Sequence, residues 1–195
     1  AIKLLSGMPD IFIIAVCNGA GKTTAAYNLL PQVFKTVEFV NADEIVRGLS
    51  PLNVEGVAFQ AARIMVERIA QLIAGKKSFS FETTLSGLAY LKFIKAEKEK
   101  GYGITFFFIY LNSVELAKSR VALRVSKGGH NIPKEVITRR YSKGLKNFSK
   151  YASLADDWYL YDNSASNYQL VAKSIIGEKE ISNFELYNKI TGDGN

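Results

Sequence analysis

Short apolar runs alternate along this chain with longer segments in which apolar residues recur every three or four positions. Short runs rich in β-branched and aromatic residues, bounded by turn-forming residues, predict buried strands. These runs lie at residues 11–16, 36–40, 78–81, 104–111, 158–161 and 168–176. Apolar residues at helical spacing predict amphipathic helices. These segments lie at residues 22–30, 54–74, 87–100, 113–126, 134–151 and 181–190, and a short helix is predicted to begin at Asp43.

This alternation predicts an α/β fold with a mostly parallel sheet and helices on both faces. In such sheets ligands bind beyond the carboxyl ends of the strands. Polar segments follow four of the predicted strands, at residues 18–24, 41–43, 82–84 and 162–164. We therefore expect one functional site at one edge of the sheet, within a single domain that spans the 195 residues.

A glycine-rich segment directly follows the first predicted strand. It consists of Asn18, Gly19, Ala20, Gly21, Lys22, Thr23 and Thr24. In a phosphate-binding loop, glycines turn backbone N–H groups toward phosphate oxygens, a lysine reaches the β- and γ-phosphates, and a hydroxyl binds Mg²⁺. The segment therefore predicts ATP binding. The full motif has glycine where this chain has Val16, and we expect Val16 either to fit as an extended strand residue or to weaken ATP binding moderately.

Acidic and hydroxyl residues follow the next two predicted strands. Asp43 can accept the proton of an attacking hydroxyl as a general base, or it can cap a helix. Glu82 can bind Mg²⁺ through water or hold an acceptor hydroxyl. Thr83 and Thr84 can bind phosphate or sugar groups, and the alternative for Thr84 and Ser86 is to cap the following helix.

The net charge of +7 is concentrated in one segment. Residues 118–150 hold ten basic residues and one acidic residue, a net charge of +9, which leaves −2 for the rest of the chain. Arg120 and Arg124 share a helix face, and with Arg139 and Arg140 they flank a glycine-containing loop. We predict a lid whose arginines stabilise a transferring phosphoryl group. The alternatives are a nucleic-acid-binding patch and a solvated helix face.

Composition argues against several other classes of protein. The single cysteine, Cys17, excludes an internal disulfide framework and favours the reducing cytoplasm, and we expect it to be a packing residue. The single histidine, His130, leaves no zinc-binding cluster and is expected at the surface. No apolar run approaches the roughly 18 residues of a membrane span, and the first residues lack a signal-peptide pattern.

Taken together, these motifs resemble the zeta-toxin-like P-loop kinases, in particular the small bacterial branch described as predicted ABC-type ATPases. The matching segments are residues 18–24, 41–45, 48–51, 81–87, 124–125, 128–130, 133–141 and 162–164. The resemblance implies a three-layer P-loop fold like that of nucleoside and adenylate kinases, and an ATP- and Mg²⁺-dependent kinase. In the toxins the acceptor is the 3′-hydroxyl of the sugar in UDP-N-acetylglucosamine, and an antitoxin blocks the nucleotide site.

The resemblance also implies roles for individual residues. Lys22 holds the β- and γ-phosphates, Thr23 and Glu82 serve Mg²⁺, and Asp43 is the base. The acceptor site takes Asp43, Arg47, Glu82, Thr83 and Thr84. The transferring group is stabilised by one arginine of each pair, Arg120 or Arg124 and Arg139 or Arg140. Val16 and Cys17 depart from the family pattern.

Two other functions stay open at this point. One is a nucleic-acid-binding protein or a kinase of nucleic-acid 5′-hydroxyls, which the +9 segment favours although a small acceptor is the stronger expectation. The other is a degenerate P-loop that serves as an interaction module, which only Val16 favours.

Overall fold

The computed structural model describes residues 8–21, 38–129, 131–165 and 167–192. Its strands are β1 (Asp10–Val16), β2 (Phe39–Val40), β3 (Phe79–Thr83), β4 (Gly103–Tyr110), β5 (Asp157–Asp162), β6 (Gln169–Ile175) and β7 (Glu178–Ile181). Its helices are α1 (Ala42–Leu49), α2 (Val54–Ala74), α3 (Ala89–Glu99), α4 (Val114–Ser126), α5 (Lys134–Ala152) and α6 (Phe184–Thr191). The predicted helix at residues 22–30 lies outside the described residues, as do Lys22, Thr23, Thr24 and His130.

The seven strands form one sheet in the order β2-β3-β1-β4-β5-β6-β7. The first five strands in this order are all parallel, and β1 lies between β3 and β4 with Ile13 opposite Phe81 and Phe106. The predicted mostly parallel α/β sheet is confirmed. Because parallel strands end at the same edge, the polar segments that follow β1, β2, β3 and β5 lie at one edge of the sheet.

The end of the chain departs from the prediction. Strand β6 pairs antiparallel with β5, and β7 pairs antiparallel with β6, so strands and helices do not alternate here. The predicted helix at residues 181–190 begins later, after its N-cap Asn183. Ile176 and Gly177 form the two-residue turn between β6 and β7, both with positive φ (51° and 81°). Such turns match the strand twist, but Asn-Gly is their usual sequence signal, and isoleucine does not indicate one.

Both faces of the sheet are covered, which explains why every residue of β1 is buried. On one face the alternate residues of β1 belong to a core that includes buried side chains from α2, α3, α5 and α6. On the other face, near the carboxyl end of β1, Cys17 is buried in a cluster with residues of α4 and α5. The aromatic residues of β4 and β5 that were expected in buried strands, Phe106–Phe108 and Tyr159, are buried, and the rings of Phe107 and Tyr159 stack with centroids 4.8 Å apart. Within the described ranges, no helix is long and apolar enough to cross a membrane.

A buried carboxylate lies at the opposite edge of the sheet from the polar segments. Asp10 begins β1 and is only 8% exposed. Burial, and after it the negative charges of Asp156 and Asp157, raise the pKa of Asp10 from its ordinary value of 3.8 to about 6. Between these two pH values the folded protein holds a proton that the unfolded chain releases, so its free energy of unfolding falls as the pH rises.

We therefore expect Asp10→Asn to stabilise the protein at neutral pH. The substitution removes a buried charge while keeping the shape of the side chain, and it should raise the free energy of unfolding by about 1–3 kcal/mol at pH 7.5. The gain should shrink progressively as the pH falls from 6 to 4, where the Asp10 carboxyl group is protonated in the folded protein. Urea unfolding of both proteins across this range measures the difference, and a gain independent of pH would contradict the assignment.

Candidate functional site

The glycine-rich loop after β1 has the backbone that a phosphate-binding loop requires. Gly19 and Gly21 have φ values of +84° and +82°, a region that favours glycine. A Cβ atom on Gly19 would lie 2.6 Å from the carbonyl oxygen of Ala117 in α4. Asn18 precedes these glycines and is 1% exposed. The loop is therefore held closely against α4, and its turn depends on both glycines.

Val16 precedes this loop as the last residue of β1. It is fully buried, lies opposite Ile109 of β4, and packs in a cluster that contains Ala117 and Val121 of α4. Its φ is not positive. The side chain that departs from the loop motif is therefore part of the core, in the extended conformation in which a β-branched residue fits well.

The segment between β5 and β6 supports the same loop from two strands away in the sheet. Asn163 Nδ2 donates to the carbonyl oxygen of Ala20 (3.0 Å), and the Tyr168 hydroxyl donates to that of Gly21 (3.0 Å). The guanidinium of Arg120 in turn donates to three successive carbonyl oxygens of this segment, those of Asn163 (2.8 Å), Ser164 (3.1 Å) and Ala165 (3.3 Å). Arg120 thus holds the segment that holds the glycine loop. The sequence predicted residues 162–164 at this edge, but no motif in it indicated that Tyr168 would bond to the glycine loop.

Asn41 joins the ends of β2 and β3. Its Oδ1 accepts from the backbone N–H of Asp43 (2.8 Å) and of Glu44 (3.4 Å), which makes Asn41 the N-cap of α1. Its Nδ2 donates to Glu82 Oε2 (3.0 Å). The capping role considered for Asp43 therefore belongs to Asn41, and the exposed carboxylate of Asp43 is left for another role.

Strand β3 extends further than predicted and includes Glu82 and Thr83. The Thr83 hydroxyl accepts from the backbone N–H of Leu85 (3.1 Å), and the hydroxyls of Thr84 and Ser86 are hydrogen-bonded to each other (3.1 Å). Capping of α3 by Thr84 or Ser86 was wrong, because the N-cap is Leu88 and no side chain bonds to that end. The hydroxyls instead shape the loop between β3 and α3.

Helix α5 packs on this β3–α3 loop through three polar or close contacts. Asn147 Nδ2 donates to the carbonyl oxygen of Leu85 (2.8 Å), and the Tyr151 hydroxyl donates to that of Gly87 (2.8 Å). A Cβ atom on Gly144 would lie 3.1 Å from the carbonyl oxygen of Thr84, so glycine permits a close approach. These contacts fix the rotation of α5 and therefore which of its arginines faces the sheet edge.

Arg140, one turn before Gly144, is the arginine that α5 directs into the site. Its Nη1 donates to Asn18 Oδ1 (3.3 Å), and the side chain is half-buried. Burial lowers the pKa of Arg140, whereas the nearby negative charge of Asp43 acts in the opposite direction. The neighbouring Arg139 is exposed to solvent. The structure therefore brings Arg140, Asp43 and Asn18 together and leaves Arg139 outside.

Two cavities meet at Asp43. The smaller, of about 290 Å³, is lined by polar side chains that include Asn18, Asn41, Asp43, Glu82, Thr83, Thr84 and Arg140. The larger, of about 640 Å³, has an apolar wall of Val46, Pro51, Val54 and Leu123, and its cations are Arg47, Arg120, Arg124 and Lys127. Arg47 also forms an exposed ion pair with Glu44 (3.3 Å). The site therefore has a hydroxyl- and carboxylate-lined side and a cationic side.

Comparisons with known proteins identify the family and the fold of this chain. The zeta toxin family model matches residues 3–169. An uncharacterised protein of Haemophilus influenzae is 30% identical over 126 residues, which cover 64% of this chain and 86% of that protein.

Among solved structures, the AvrRxo1-ORF1:-ORF2 complex with ATP matches with a TM-score of 0.75 and 20% identity, over 95% of this chain and 64% of the matched chain. The PezAT chromosomal toxin–antitoxin system of Streptococcus pneumoniae matches with a TM-score of 0.64 and 17% identity, over 99% of this chain and 82% of the matched chain. At these identities the likeness is one of fold, and the fold is that of the P-loop kinases. This chain spans about two thirds of the AvrRxo1 chain that it matches.

Because Val16 is buried in the core, its replacement by glycine should affect stability more than ATP binding. Val16→Gly should lower the free energy of unfolding by about 2–4 kcal/mol, because it removes a fully buried side chain and loosens a strand. It should leave the dissociation constant for ATP within about threefold of the wild-type value. Urea unfolding and isothermal titration measure the two quantities.

The matched control is Val16→Ala, which shortens the side chain but keeps a Cβ atom. It should destabilise the protein less than glycine does and leave ATP affinity unchanged. If only the glycine variant bound ATP tenfold or more tightly, the backbone at position 16 would limit nucleotide binding after all.

Proposed function

The chain belongs to the zeta toxin family, and from this premise we propose that it transfers the γ-phosphoryl group of ATP to a hydroxyl of a small metabolite. The observation that carries the proposal is the convergence of Arg140 and Asp43 beside the glycine loop. Phosphoryl transfer requires a group that receives the acceptor's proton and placed positive charge on the transferring group. Asp43 of α1 supplies the proton acceptor, and Arg140 of α5 supplies the positive charge, on the same side of the glycine loop.

ATP is proposed to bind with its phosphates on residues 18–24. The positive φ values of Gly19 and Gly21, and the likeness to a fold solved with ATP, support this position. In the proposal Lys22 binds the β- and γ-phosphates, and Thr23 provides a hydroxyl for Mg²⁺.

The chemistry of the residues at the sheet edge fits a magnesium ion carried by the nucleotide. Mg²⁺ commonly takes one or two protein oxygens and completes its shell with phosphates and water. Glu82 offers a carboxylate at the strand end beside the loop, and in the described parts of the chain no group of three or more His, Cys, Asp or Glu could hold a metal. When bound, the ion would neutralise charge on the β- and γ-phosphates.

In the proposed step the acceptor oxygen forms a bond to the γ-phosphorus while the bond from that phosphorus to the β,γ-bridging oxygen breaks. ADP leaves, and the proton of the acceptor hydroxyl passes to the Asp43 carboxylate. Arg140 offsets the negative charge of the transferring group, and half-burial strengthens this effect because less water screens it. Helix α4 has two arginines near the site. We assign Arg124 to the transferring phosphoryl group of ATP. Arg120 is assigned to positioning the glycine loop, because it already donates to three carbonyl groups of the segment that supports this loop.

The two cavities that meet at Asp43 support an acceptor with both hydroxyls and phosphates. The smaller cavity offers Glu82, Thr83 and Thr84 to a sugar, and the larger offers Arg47 and cations of α4 to a diphosphate. We therefore propose a nucleotide sugar, with UDP-N-acetylglucosamine as the first acceptor to test. In this proposal the predicted lid, residues 118–150, covers the acceptor without moving as a unit, because α4 and α5 are packed in the core. An antitoxin partner is also proposed, which the likeness to the PezAT toxin–antitoxin system supports.

The test is product formation from Mg-ATP and UDP-N-acetylglucosamine, followed by mass spectrometry for a species heavier by one phosphate. We expect this product with the wild type. Asp43→Asn should reduce kcat by about 10²–10⁴-fold, because the proton acceptor is lost. If neither this acceptor nor a cellular metabolite extract gives a phosphorylated product, the proposed function is wrong.

A second measurement in the same assay separates the two neighbouring arginines of α5. Arg140→Lys should lower kcat at least about 100-fold, because lysine keeps the charge but loses the planar fork that suits phosphate oxygens. Arg139→Lys is the matched control and should stay within about threefold of the wild type, since Arg139 is exposed. The reverse ranking would contradict the assignment.

A further inference from the structure

Helix α5 carries a row of cations on the face that it turns to solvent. The side chains of Arg139, Lys143, Lys146 and Lys150 are all exposed. Their spacings of four, three and four residues place them on one helix face. With a rise of 1.5 Å per residue, the row is about 17 Å long, with a positive charge at intervals of about 4.5–6 Å. We call these four residues the basic row.

The basic row lacks compensating negative charge. Within the described parts of the chain, none of its four members forms an ion pair, whereas Lys98, Lys100 and Lys173 each pair with a carboxylate at 2.7–2.8 Å. The one acid in residues 118–150 is Glu135, in the first turn of α5. Like charges four residues apart on a helix repel one another. A partner with closely spaced negative charges would relieve this repulsion.

We propose that the basic row binds the phosphate backbone of a double-stranded polynucleotide without regard to sequence. A duplex carries about one negative charge per 1.7 Å of axis, a dense and regular array that offers several phosphates along the length of the row. Ammonium groups contact phosphates as point charges, and contacts to phosphates carry no sequence information. Ser142 and Ser149 are exposed in the same helix and add short hydroxyl donors for phosphate oxygens.

The surroundings of the row favour a duplex over a single strand. Binding of single strands depends largely on aromatic side chains on which the bases stack. The aromatic residues of α5 are not available for this purpose, because Phe148 and Tyr151 are buried and the Tyr141 hydroxyl bonds to the carbonyl oxygen of Leu111 (2.7 Å). We therefore expect a duplex to bind more tightly than a single strand of the same sequence.

The same surroundings argue against a membrane surface. Helices that bind membranes insert an apolar face beside their cations. The apolar face of α5, with Ile137, Phe148 and Tyr151, is buried in the core of the protein. An anionic lipid surface would meet only the charges.

The basic row lies outside the catalytic cleft, so its ligand does not depend on phosphoryl transfer. Arg140 points to Asn18, whereas its neighbour Arg139 begins the exposed row, which runs from there toward the end of α5. Polynucleotide binding is therefore expected without ATP. A failure of this proposal leaves the proposed kinase activity unaffected, and the reverse also holds.

The test is fluorescence anisotropy of a labelled 20-base-pair DNA duplex with the full chain, without ATP, from 25 to 200 mM NaCl. Four contacts predict a slope of about −3 to −4 for the logarithm of the binding constant against the logarithm of salt concentration, with dissociation constants in the micromolar range at low salt. Lys143→Gln combined with Lys146→Gln should make the slope shallower by about 2 and weaken binding at least about tenfold at 50 mM NaCl.

The matched control is Lys92→Gln combined with Lys95→Gln on α3, two exposed lysines with the same spacing and the same change in net charge. It should bind like the wild type, and circular dichroism should show that both double variants are folded. Absence of binding at 25 mM NaCl, or equal weakening in both variants, would overturn the proposal. So would binding to phosphatidylserine vesicles that equals or exceeds binding to the duplex.

Discussion

Parallel pairing of β2, β3, β1, β4 and β5 is the constraint on which the site depends. Each of these strands needs a crossover to return to the same direction, and so their carboxyl ends collect at one edge. Residues far apart in the sequence meet there. The hydrogen bonds from Asn41 to Glu82 and from Asn163 to Ala20 join segments that are 41 and 143 residues apart.

Helix α5 completes the site from outside the sheet. Its packing on the β3–α3 loop, through Gly144, Asn147 and Tyr151, fixes its rotation. That rotation directs Arg140 toward Asn18 and leaves Arg139 with the exposed cations. One helix thus separates two kinds of positive charge: a half-buried arginine in the cleft and an exposed row outside it. The high charge of this segment therefore need not have a single explanation.

The strands around the site could be predicted from the sequence because short apolar runs and glycine-rich turns are local signals. The loop at residues 18–24 and the shared sheet edge followed from them. Which arginine faces the cleft could not be predicted, since Arg139 and Arg140 are adjacent and only the packing of α5 on the β3–α3 loop distinguishes them. The cap of α1 is Asn41, whereas only Asp43 was considered for this role from the sequence; both residue types cap helices well, and the structure decides where the helix begins.

The central claim is that Asp43 and Arg140 act together on one transferring group. A double-mutant cycle on kcat/KM, with Asp43→Asn, Arg140→Lys and the double variant, tests it most directly. If both residues serve the same transition state, the double variant should lose at least about tenfold less than the product of the single losses, a coupling of about 1.4 kcal/mol or more. Single losses that multiply without coupling would mean that the two residues act independently, and would contradict the account.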